Sequence, residues 1–243
     1  ALQVGARLAA PALACGNAVV LKPSEESSLT PMHLAAIARA SGLPEGLFQV
    51  VTGYGEEAGA ALVAHPDVDH LSFVGSPTVG SAIAQIAAQR LVPVSLELGG
   101  KSPNVVFEDA DIDAALPTIV RAVIQNAGQT CSAGSRLIVR EAIAARVLDG
   151  IAARMRALRL GAGLQDPDLG PLISQAQFER ARGMVDRAVA AGARLLAGGH
   201  RATGAAYDGG FFLEATLLAG VDTGSEIWHD EVFGPVLAAP SFR

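Results

Sequence analysis

The chain has 243 residues, 50% of them hydrophobic and 17% charged, with a formal net charge of −6, so it is long enough to bury a sizeable core. Its acidic residues are scattered rather than blocked, and no basic surface is offered to nucleic acid or anionic lipid. The two cysteines, Cys15 and Cys131, have no metal-type spacing, which argues against a disulfide framework or a zinc site and makes a reducing, cytoplasmic setting the expectation.

The most apolar stretch, residues 1–21, contains Arg7, Pro11, Gly16 and Asn17 and lacks the charged flank and cleavage site of a leader. It predicts a buried helix followed by a strand at Ala18–Leu21, with Cys15 buried in an apolar run. The helical pattern of Leu2, Val4, Leu8 and Leu13 starts without a cap, so the chain is expected to be a fragment.

Further short apolar runs at Phe48–Val51, Leu71–Val74 and Val94–Leu96 follow at intervals of roughly 20 to 30 residues, separated by helical periodicity. Such βαβ units predict one parallel sheet covered on both faces, with ligands beyond the carboxyl ends of its strands. After Gly100 the rhythm changes. Strands are expected at Asn104–Phe107, Leu137–Arg140, Arg194–Ala197, Phe211–Glu214 and Val236–Ala239, with helices over Asp111–Gln125, Glu141–Ala157 and Gln175–Ala191. The expected organisation is an α/β domain over 1–99 followed by a second α/β domain over 100–243.

Five stretches carry chemistry. Asn126-Ala127-Gly128-Gln129-Thr130-Cys131-Ser132-Ala133-Gly134 places Cys131 in a polar, glycine-flanked turn, where a thiol is reachable and ionisable. Leu96-Glu97-Leu98-Gly99-Gly100-Lys101 ends a strand with a carboxylate among apolar residues. Glu97 is either a solvated strand-end group or a base whose pKa is raised by desolvation.

Phe73-Val74-Gly75-Ser76-Pro77-Thr78-Val79-Gly80 runs from strand to helix, with Pro77 near the first helical position. Its free N–H groups suit a pyrophosphate, although an ordinary capped βα turn has the same signature. Lys22-Pro23-Ser24-Glu25 follows the first strand with a cation and a carboxylate, which could hold ribose hydroxyls or simply be solvated. Glu231-Val232-Phe233-Gly234-Pro235-Val236 sets a carboxylate and an aromatic ring in a turn before a strand, as a packing staple also would. Gly53-Tyr54-Gly55-Glu56-Glu57-Ala58-Gly59 misses the dinucleotide glycine spacing by one residue. The five histidines are scattered without ligand spacing, so no metal site is expected.

Taken in order, the Lys22, Gly75, Glu97, Cys131 and Glu231 stretches resemble the signature set of the aldehyde dehydrogenase superfamily over nearly the whole chain. The resemblance implies a Rossmann-like NAD-binding domain over 1–99, truncated at its start, and a catalytic domain over 100–243, truncated at its end. It implies that Cys131 is the nucleophile, attacking an aldehyde to give a thiohemiacetal and then a thioester, with hydride transfer to NAD(P)+. Glu97 then activates the hydrolytic water. Lys22 and Glu25 are implied to hold the adenosine ribose, and Gly75 and Ser76 the pyrophosphate. Gly80 and Leu98 are implied to complete the dinucleotide site, and Glu231 and Phe233 to position the nicotinamide ribose and ring.

By the same resemblance Glu25 favours NAD, with NADP possible. The partners it implies are a small aldehyde and further copies of the full-length chain, as a dimer or tetramer, with no nucleic acid and no membrane. The family's oxyanion-hole asparagine would lie upstream of Ala1. A coenzyme A-acylating relative and a non-catalytic truncated relative are the alternatives; Glu97 favours hydrolysis.

Overall fold

In the computed structural model, which describes residues 2–240, the chain divides into two compact α/β units, Ala1–Leu98 and Gly99–Arg243. The first unit runs α1 (Leu2–Ala14), β1 (Val19–Leu21), α2 (Leu29–Ala40), β2 (Phe48–Val50), α3 (Ala60–Ala64), β3 (Leu71–Gly75), α4 (Pro77–Arg90) and β4 (Val94–Leu98). Each strand follows the expected alternation with helices. The strands pair in parallel as β1 with β2 and β3 with β4, in two separate two-stranded sheets rather than the one expected sheet. Periodicity announces that a strand exists but not which edge it will meet.

The apolar N-terminal stretch does form a helix, yet only Gly5 and Ala9 are buried in it, and Cys15 beyond its end is exposed. Both therefore differ from the expected buried state, because composition reports hydrophobicity and not whether a face has a partner. At the far end of α4 the Arg90 guanidinium donates to the carbonyls of Val63, Pro66 and Val68 at 2.8, 3.1 and 3.0 Å. This ties the helix end to the loop entering β3.

The second unit runs β5 (Pro103–Val106), α5 (Ile112–Ile124), β6 (Arg136–Val139), α6 (Glu141–Arg156), α7 (Gln175–Ala190), β7 (Arg194–Ala197), β8 (Thr216–Val221), α8 (Glu226–His229) and β9 (Val236–Pro240). Its sheet has the order β5-β6-β9-β8-β7, parallel throughout except for the antiparallel edge strand β7. Asp111 caps α5 by accepting from the Ala114 N–H at 3.1 Å, leaving Ile112, Leu116, Ile119, Val120 and Val123 as a buried stripe at helical spacing. Burying each such side chain contributes about 1.5–3 kcal/mol.

The centre of this core is formed by β8 and β9, with Leu217, Leu218 and Leu237 fully buried. The strand expected at Phe211–Glu214 is not one: Phe211 and Leu213 make only isolated bridges, to Leu172 and Arg201. The strand lies instead at Thr216–Val221. A central strand buried on both faces carries no alternation to announce it, and here a left-handed Gly220 (φ 68°) adds an irregularity near its end. Among the described residues no helix is long and apolar enough to cross a membrane.

Candidate active site

Within the second unit, the Cys131 turn is built by an abrupt end to α5. Asn126, Ala127 and Gly128 take left-handed conformations in succession, with φ of 53°, 55° and 73°. Two non-glycine residues in that region are unfavourable and persist only where their surroundings over-determine them. Here the Asn126 side-chain amide donates to the Gln129 carbonyl at 2.9 Å, while the Gln129 side-chain amide donates back to the Asn126 carbonyl at 3.1 Å. The Gln129 side-chain oxygen also accepts from the Ile173 N–H at 2.9 Å, just ahead of α7.

Beyond the cysteine, Gly134 donates to the Ala122 carbonyl at 3.0 Å, and Asn104 donates to the carbonyls of Gly134 and Arg136 at 2.8 and 3.3 Å. Both limbs of the turn are pinned while Cys131 at its tip is exposed. Among the described residues, no protein acceptor takes the Cys131 backbone N–H. An accessible sulfur beside a free N–H is the arrangement that a thiol nucleophile and its oxyanion need.

Three glycines let neighbouring segments close on this turn. A Cβ on Gly100 would strike the Cys131 carbonyl, one on Gly99 would strike the Glu231 carboxylate, and one on Gly128 would strike the backbone of Gly234 and Pro235. The Glu231 carboxylate also accepts a long bond, 3.4 Å, from the Gly100 N–H. Phe233 is partly exposed and left-handed, with φ 56°.

Lys101, which ends the Glu97 stretch, carries no role legible in the sequence. Among the described residues its buried ammonium has no hydrogen-bond partner, nor has the Nε of Arg136, whose guanidinium lies 5.3 Å over the Trp228 ring. Burial pushes the Lys101 pKa down to about 8, and the Arg136 cation adds to the shift while Asp230 and Glu231 oppose it. Its position directly after Gly99-Gly100 is the only signal the sequence offers for it.

Within the first unit, the Lys22 ammonium donates to the Gly53 carbonyl at 3.2 Å and lies 3.5 Å from Glu25 Oε2. The Lys22 side chain is 15% exposed and that of Glu25 47%, so the carboxylate keeps free acceptor capacity. Its pKa is lowered, first by its own backbone N–H and then by Lys22. At the end of β3, Ser76 caps α4 by accepting from the Val79 N–H at 3.3 Å, and Pro77 occupies the first turn.

Gly80 is buried against Leu98, where a Cβ would come within 2.6 Å of the leucine side chain, so α4 sits close on β4. A cation–carboxylate pair beyond β1 and a helix N-terminus beyond β3 fit the ribose and pyrophosphate of a dinucleotide. Glu97 on β4 is exposed. The desolvation suggested by its apolar sequence neighbours does not occur, because in a strand those neighbours point to the opposite face.

Over residues 1–243 the chain matches the model of the aldehyde dehydrogenase family, and it belongs to that family. It is 46% identical over 234 residues to aminoaldehyde dehydrogenase 1, peroxisomal, of Pisum sativum, covering 96% of this chain and 46% of that protein. It is 44% identical over 235 residues to betaine aldehyde dehydrogenase 1 of Oryza sativa subsp. japonica, with the same coverage of each. The NAD+ complex of aldehyde dehydrogenase from Bacillus cereus superposes with a TM-score of 0.90 at 38% identity, over 95% of this chain and 46% of that one. The chain thus spans about half the length of the curated relatives it matches.

Proposed function

We propose that the chain forms the cofactor-binding and catalytic core of an enzyme that oxidises an aldehyde to a carboxylic acid. The observation that carries this reading is the exposed Cys131, held at the tip of a doubly pinned turn with its own N–H free.

The Cys131 thiolate adds to the aldehyde carbon, forming a C–S bond and placing negative charge on oxygen, where the Cys131 N–H stabilises it. A nicotinamide dinucleotide, when bound, supplies the hydride acceptor for this chemistry. With that acceptor in place, collapse of the oxyanion would break the C–H bond, the hydrogen leaving as hydride, and a thioester would remain on Cys131. Glu97 takes a proton from water as the water oxygen attacks the thioester, the C–S bond breaks, and the carboxylic acid and free thiolate result. Glu97 is exposed, so water can reach its carboxylate.

On the cofactor side, Lys22 and Glu25 hold the adenosine ribose, Gly75 and Ser76 receive the pyrophosphate, and the Gly80–Leu98 contact sets the distance of that turn from β4. Glu231 and Phe233 position the nicotinamide ribose and ring. A carboxylate at Glu25 repels a 2′-phosphate, which favours NAD over NADP.

The Pisum sativum and Oryza sativa relatives, named for aminoaldehydes and betaine aldehyde, make those the first substrates to test. We read the full-length protein as a homo-oligomer in the cytoplasm. Size-exclusion chromatography and localisation of a tagged copy test those two points, and the peroxisomal name of the first relative makes the second worth measuring.

The test of the activity is reduction of NAD by aldehydes without coenzyme A, run on the full-length gene product and on this chain. Carboxylic acid and reduced cofactor in equal amounts support the reading. Turnover only with coenzyme A, or none from either protein, overturns it.

A further inference from the structure

The Glu231–Phe233 turn has no strand to hold it, since β9 begins only at Val236. Its three successive carbonyls are instead taken by two side chains of α7. The Gln177 amide nitrogen donates to the carbonyls of Val232 and Phe233 at 2.9 and 2.8 Å. Arg180 Nη1 donates to those of Glu231 and Val232 at 2.8 and 2.9 Å.

Residues three apart lie on one helix face, and the Ser174 cap fixes where that face starts by accepting from the Gln177 N–H at 3.2 Å. Two donor hydrogens on one amide and a charged guanidinium satisfy all three carbonyls, with the charge-assisted bonds the stronger. The residue held at the end of this ladder is Phe233, whose φ of 56° is strained for an aromatic side chain and needs such support.

We propose that Gln177 and Arg180 are positioning residues, which fix the Glu231–Phe233 turn and through it the nicotinamide end of the cofactor. This rests on the reading of Glu231 and Phe233 given above. The two side chains act on the turn's backbone, so their loss frees the turn while Glu231 and Phe233 themselves are kept.

The experiment uses the full-length protein and the variants Gln177→Met, Arg180→Met, Arg180→Lys and the double methionine variant, each with and without Glu231→Ala. Backbone hydrogen exchange over Val232–Gly234, read without cofactor or substrate, should quicken about tenfold or more in the double variant while exchange in β8 stays unchanged. The single-turnover rate of NAD reduction should fall about 10- to 100-fold, with Arg180→Lys recovering part of the loss. On the Glu231→Ala background the same substitutions should add little, because they act through the turn that Glu231 occupies.

Unchanged exchange at the turn, or losses that multiply fully with Glu231→Ala, would overturn the proposal. A wild-type protein that reduces no NAD sinks the functional reading instead, and the exchange measurement still decides whether α7 braces the turn.

Discussion

The Cα of Gly128 lies directly against the backbone of Gly234, with no room for a Cβ between the turn that carries Cys131 and the turn that carries Glu231 and Phe233. Gly128 is also left-handed at φ 73°. Gly128→Ala therefore meets both a steric contact and an unfavourable backbone conformation. It should cost about 2 kcal/mol or more, seen as a lower urea midpoint, and should change the rate at which iodoacetamide alkylates Cys131. A variant with wild-type midpoint and alkylation rate would show that the two turns are not in contact.

Cys131→Ala removes the proposed nucleophile and lies outside the first unit, which carries the Lys22–Glu25 pair. Turnover in the full-length protein should vanish, while NADH affinity by fluorescence titration stays within about twofold, since catalytic and binding losses separate when a residue acts only in the reaction. Steady-state activity surviving this substitution would remove Cys131 from the mechanism.

Glu97→Gln keeps the shape of the side chain and removes its capacity to accept a proton. Rapid mixing should show a burst of reduced cofactor close to one per active site, followed by a steady rate lowered about 100-fold or more. Hydroxylamine should restore turnover by attacking the stalled thioester. An undiminished steady rate would require another base.

The buried Lys101 ammonium, without a hydrogen-bond partner among the described residues and with its pKa lowered to about 8, binds its proton less tightly in the folded chain than in the unfolded one. Its ionised form thus opposes folding fully below pH about 8, and the penalty is relieved as pH rises toward the unfolded lysine value of about 10.4. Lys101→Met should stabilise the chain by about 1–3 kcal/mol at pH 7, with the gain shrinking between about pH 8 and 10.4. A destabilised variant at pH 7, or a pH-independent difference, would show that the ammonium has a partner.

The elements most readily read from sequence were those whose side chains announce themselves locally. The helices expected over residues 111–125 and 175–191 lie at Ile112–Ile124 and Gln175–Ala190, and the polar, glycine-flanked turn singled out Cys131, which is exposed. The ordered motifs around Lys22, Gly75, Glu97, Cys131 and Glu231 were enough to point to the family, because each is a short stretch of backbone and side-chain chemistry carried by contiguous residues.

What tertiary structure alone decided depends on partners distant in the chain. Strand pairing in the first unit and the buried strand Thr216–Val221 follow from which edges and faces meet. The exposure of Cys15 and Glu97, the buried ammonium of Lys101, and the grip of Gln177 and Arg180 on carbonyls more than 50 residues away follow from packing. Local sequence sets conformational preference over a few residues, whereas burial and hydrogen-bond partnership are properties of the packed whole.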